Sequence, residues 1–83
     1  MKHLEIKASL CELFKKAMAQ AGWHITHQDV GQTELLAYGY VIIWEKESHK
    51  VVLHYSDRQG IAQANIETSP QVEQEIKTII STL

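Results

Sequence analysis

The side chains able to do chemistry in this 83-residue chain are five histidines, one cysteine and ten carboxylates, and their spacing decides what chemistry is open to them. The nearest approach to a ligand set is His24-x-x-His27 with Asp29 close behind. On a regular strand, residues three apart point to opposite faces, whereas paired metal ligands need i and i+2 on a strand or i and i+4 on a helix. The reading is surface imidazoles, with no metal and no cofactor expected. Ser48-His49 are neighbours in a turn, but adjacency in sequence does not make a nucleophile and its base, and no third group is placed to orient the imidazole. Cys11 falls on the apolar side of a helical pattern, away from any helix N-terminus or cation that would lower its pKa, and reads as a packing residue.

Other binding signatures are equally sparse. Gly22, Gly31, Gly39 and Gly60 lie far apart, without phosphate-loop spacing. Trp23, Trp44, Tyr38, Tyr40 and Tyr55 could stack nucleobases, but they share the strand face that the helices need, which makes them core. Eight Lys and Arg against ten Asp and Glu give a net charge of -2. The basic residues are dispersed, so a nucleic-acid partner is not expected.

With 45% hydrophobic and 22% charged residues, the chain has the composition of one globular domain spanning residues 1–83. Lys2, Glu5, Lys7 and Glu12 interrupt the apolar residues of the N-terminal stretch, unlike a secretory signal. Nothing approaches the apolar length of a membrane span. A lone cysteine favours a reducing compartment, and the expected location is the cytoplasm.

Leu4 to Ala21 repeats apolar residues at steps of three and four, with Glu12 facing Lys15 and Lys16 on the wet side. This predicts a first helix ended by Gly22 in a left-handed conformation. Trp23 to Gln28 alternates as a strand, and Asp29-Val30-Gly31-Gln32 reads as a turn that sets Leu36 opposite Ile25 and Tyr38 opposite Trp23. Leu35 to Trp44 is the next strand. Pairing Glu45 with Lys50 across the following hairpin brings together Trp44 and Val51, Ile42 and Leu53, and Tyr40 and Tyr55, whereas a one-residue slip would mix the faces.

A loop Asp57-Arg58-Gln59-Gly60 then places Tyr55 by Ala62, Leu53 by Ala64 and Val51 by Ile66. Ser69-Pro70 reads as an N-cap and first helical residue, followed by an apolar stripe of Val72, Ile76, Ile79, Ile80 and Leu83. The expected fold is an α+β two-layer sandwich: helix, four-stranded antiparallel meander, helix, with both helices on one sheet face. Gln63, Asn65 and Glu67 would make its last strand a polar edge.

The opposite face then collects Leu35, Ala37, Val41, Ile43, Val52, His54 and Ile61. Several apolar residues massed on an uncovered sheet mark a contact surface, with His54 inside it. The function expected is a small non-enzymatic domain acting through protein contact, as a homodimer joined by the open face or an edge strand, or with another protein. The alternatives are a small RNA-binding or RNA-cleaving protein using His24, His49 or His54, and an inhibitor or immunity-type protein with one specific partner.

The element order has the outline of double-stranded RNA-binding domains, small RNA-cutting toxins and frataxin-like domains. Gln71, Glu73 and Glu75 open the last helix where the RNA-binding domains present lysines, and an acidic start repels phosphate. The toxins are strongly basic, and frataxin-like domains carry an acidic first helix where Glu5 and Glu12 are here balanced by Lys7, Lys15 and Lys16. No family is assigned on these outlines.

Overall fold

A computed structural model describes residues 2–32, 38–58 and 61–83. Trp44, Ile42, Val51, Leu53 and Ile66 are all at most 1% exposed, and they share a face because the strands carrying them are paired in phase. The strands are β1 (Lys2–Ile6), β2 (His24–Gln32), β3 (Tyr38–Lys46), β4 (His49–Arg58) and β5 (Ile61–Thr68). They form one antiparallel sheet in the order β1-β5-β4-β3-β2. Helix α1 (Cys11–Gln20) follows β1 through a short 3-10 turn, and α2 (Glu73–Ser81) follows β5 through another. Cys11, Phe14 and Met18 from α1 and Val72 and Ile76 from the α2 segment enter the same core as Trp44 and Leu53. Both helices therefore lie on one sheet face, in the two-layer α+β arrangement that the patterning predicts.

The β3–β4 register is the expected one, with Glu45 opposite Lys50, Trp44 opposite Val51, Ile42 opposite Leu53 and Tyr40 opposite Tyr55. The two tyrosine rings stack at 4.7 Å between centroids, and Phe14 meets Trp44 edge-on at 5.5 Å. Helix α1 ends as expected at Gly22, whose φ of +90° lets the Trp23 amide donate back to the Met18 carbonyl at 3.1 Å. That six-to-one bond and the left-handed residue are the two parts of a Schellman ending.

Five expectations are corrected. The meander has a fifth strand, because Lys2–Ile6 is β1 paired with β5 and not the start of a helix. Leu4 and Ile6 satisfy a two-residue period as well as a helical one, and the open hydrogen-bonding edge of β5 decides between them. It follows that β5, expected as an edge, is interior. The β2–β3 turn does not fall at Asp29–Gln32, since β2 runs through those residues and Ile25 lies opposite Trp44, not Leu36. Leu36 itself lies outside the described residues.

The β4–β5 hairpin is tighter than expected by two residues, with Arg58 opposite Ile61, Tyr55 opposite Ala64 and Leu53 opposite Ile66. A two-residue shift leaves every side chain on its expected face. Finally, Ser69 makes no side-chain cap hydrogen bond to α2; its hydroxyl instead reaches the Lys50 backbone at 3.4 Å.

The β3–β4 turn holds Glu47 at φ 52° and Ser48 at φ 69°, the type I′ geometry that matches strand twist but suits Asn-Gly far better. Replacing Glu47→Asn together with Ser48→Gly should raise stability by about 1 kcal/mol, read as a higher urea midpoint at unchanged slope. At mid-strand, a Cβ on Gly39 would sit 2.9 Å from the Tyr55 carbonyl oxygen, a backbone atom that cannot step aside. Gly39→Ala should therefore cost about 1–3 kcal/mol in the same measurement.

Candidate interaction surface

Pleating sends alternate residues of each strand away from the helices, and the registers line these up in rows across the open face. One row runs Glu67, Val52, Ile43, His27 and the next Asn65, His54, Val41, Asp29. Val41, Ile43, Val52 and His54 thus meet at the centre of the sheet. Val52 is only 8% exposed because neighbouring side chains enclose it, while Val41 and Ile43 are half-buried. Ile61 is 64% exposed, but it lies opposite Arg58 at the far end of β5 and does not join the central group. Leu35 and Ala37, the other two residues expected here, lie outside the described residues.

The rim is charged. Glu45 and Lys50 face one another at one end, and His54 Nε2 lies 3.5 Å from Glu67 Oε1. Leu4, Glu5, His54, Asn65 and Glu67 line a shallow, open hollow of about 490 Å³. An apolar centre with a polar rim is the anatomy of a contact surface.

The three histidines considered for RNA chemistry do not converge. His49 lies on the helix side, opposite Lys46 and near enough to Glu75 to act on its carboxylate. His24 and His54 share the open face but stand two strands and four residues apart, on the order of 16 Å at standard strand spacings.

A β-bulge between Ile25 and His27 changes the reading of β2. Thr26 is the extra residue, so His24 and His27 point to the same face instead of opposite ones. This corrects the geometric argument made from their spacing. His24, His27 and Asp29 are spread along one strand, and no group of three potential ligands gathers as a metal site among the described residues.

Cys11 is the first residue of α1, so the expectation that no helix N-terminus is near it is also corrected. Its thiol is nevertheless pushed up, because burial outweighs the hydrogen bond from Tyr40 and the Lys15 charge. It is 2% exposed and packs. Tyr40 is itself pushed far above the usual phenol range, chiefly by burial.

The densest polar cluster lies on the other side and is a clamp. Glu75 Oε2 accepts from Trp23 Nε1 and from Lys46 Nζ, both at 2.9 Å. Lys46 also donates to the Ala21 carbonyl at 3.0 Å and sits 5.0 Å above the Trp23 ring. These bonds join α2, β3 and the end of α1. Sequence patterning could not find them, because Trp23, Lys46 and Glu75 are far apart in the chain.

No family model, curated protein or solved structure matches the chain. Among the described residues no helix is long and apolar enough to cross a membrane.

The hydrogen bonds from Lys46 and then Trp23 hold the Glu75 carboxyl below its ordinary value of 4.5. A carboxylate lowered on folding contributes stability that is complete above its unfolded pKa and is lost as pH falls through the folded one. Its side chain is 39% exposed, so screening limits the contribution to about 0.5–1 kcal/mol. Glu75→Gln should therefore be less stable than the parent by that amount at neutral pH, with the gap closing as pH falls from 4.5 through the lowered folded value, in urea titrations run across the pH range.

Proposed function

We propose that this chain is a cytoplasmic, non-catalytic domain that works through protein contact, and that its partner is a second copy of itself. The observations supporting this are the sheet face left bare by both helices, with Val41, Ile43 and Val52 at its centre, and the long edge strand β2 beside it, either of which a second copy could meet. Burying even part of such a patch contributes at roughly 25 cal/mol per Å², which matters for a domain whose total stability is on the order of 4–12 kcal/mol. The separation of His24, His49 and His54 weighs against the RNA-cleaving alternative, which needs an acid and a base around one phosphate. A cytoplasmic location is supported by the lone, buried Cys11.

Sedimentation equilibrium from low to high micromolar concentration should give a dimer mass at the upper end. A monomer throughout ends the self-association reading. Where the copies meet through the open face, Val41→Lys or Ile43→Lys should return the protein to monomer, because each would desolvate an unpaired ammonium in the contact.

A further inference from the structure

Among the described residues the two outer strands, β1 and β2, each pair on one side only, and they are not equivalent. Strand β1 is only five residues long, and short edge strands are poor templates for pairing. Strand β2 is nine residues long and contains no Lys, Arg or Pro. Beyond the bulge its backbone pairs regularly with β3 on one side, from His27 to Gln32. His27, Gln28 and Asp29 are all exposed.

We infer that two copies join through β2, antiparallel about a two-fold axis at Gln28, to make one continuous ten-stranded sheet. This rests on the self-association reading above and names the contact.

The argument is one of symmetry and charge. An antiparallel edge-to-edge pair can be related by a two-fold axis only if that axis is normal to the sheet. Opposed residues must then share a face, so the axis passes where one residue meets its own copy. Within the exposed triplet there are three such positions. Centring on His27 sets imidazole against imidazole, and centring on Asp29 sets carboxylate against carboxylate. Centring on Gln28 places His27 opposite the partner's Asp29 and Asp29 opposite the partner's His27, with the two Gln28 amides free to bond each other at the axis.

An imidazole N–H opposite a carboxylate can donate a hydrogen bond across the pair of strands, whereas two carboxylates opposed there repel. The bulge sets the face on which His27 and Asp29 both project, beside Ile43 and Val41. The same operation leaves all four helices on one side and brings the two bare faces into one plane, doubling the central apolar group.

Charge exchange at the two positions tests the register. His27→Asp should weaken dimerisation at least tenfold, and His27→Asp with Asp29→His should restore it to within about threefold of the parent. A circular dichroism spectrum of His27→Asp matching the parent's shows that the single variant folds. Gln28→Cys should form a disulfide-linked dimer under mild oxidation much faster than Gln63→Cys, an exposed control on an interior strand.

An unweakened His27→Asp dimer, or a double variant that is not restored, overturns the inference. A parent protein that stays monomeric removes the self-association reading and this inference together. A dimer indifferent to His27→Asp but abolished by Val41→Lys keeps that reading and replaces the edge by the face.

Discussion

Strand pleating allows each residue of β3, β4 and β5 only one of two sides, and the pairing of these strands keeps the same choice in step across all three. Trp44 meets Val51, and Ile42 meets Leu53, which meets Ile66. A slip of one residue at either hairpin would exchange this set for Ile43, Val52 and their polar neighbours. The helices have one apolar surface to cover, and the remaining surface follows by subtraction. Every statement about contact with another molecule depends on that phase.

The polar interactions refine the arrangement and do not create it. Glu75, Lys46 and Trp23 fix how α2 lies against the end of α1 and the tip of the β3–β4 hairpin. A partly exposed ion pair of this kind adds little net energy, but its geometry narrows the ways the helix can settle. On the opposite side, His54 and Glu67 line an open hollow with Leu4, Glu5 and Asn65. One cluster closes a surface between elements of the fold, and the other borders a surface that the fold leaves uncovered.

Legibility in the sequence varied with the range of the deciding interaction. Gly22 was readable because its left-handed turn is local. The β3–β4 register was readable because alternation and the Glu45–Lys50 pairing agree. The β4–β5 register was displaced by two residues yet kept its faces, since alternation constrains parity more strongly than length. Of the residues expected together on the open face, Val41, Ile43, Val52 and His54 do meet, while Ile61 stands apart at the end of β5. His27 and Asp29 were visible only as a ligand-like spacing with His24, and the face all three share was not, because the bulge beside them arises from pairing with β3 and leaves no pattern in β2 alone.

The amino-acid order alone determined that Ile42, Trp44, Val51, Leu53 and Ile66 share the core face and where α1 stops, whereas Leu13 and Ile25 fit the same patterns and stay exposed. These depend on period, propensity and backbone conformation over a few residues. Only the tertiary structure decided that Lys2–Ile6 becomes a strand, that Thr26 bulges, and that Glu75 reaches Trp23 and Lys46. The physical reason is the same in each case: the partner supplying the hydrogen bond is remote in sequence, so the local pattern is compatible with more than one outcome. Leu4 and Ile6 fit a helix or a strand equally well until the unpaired edge of β5 is present to accept them.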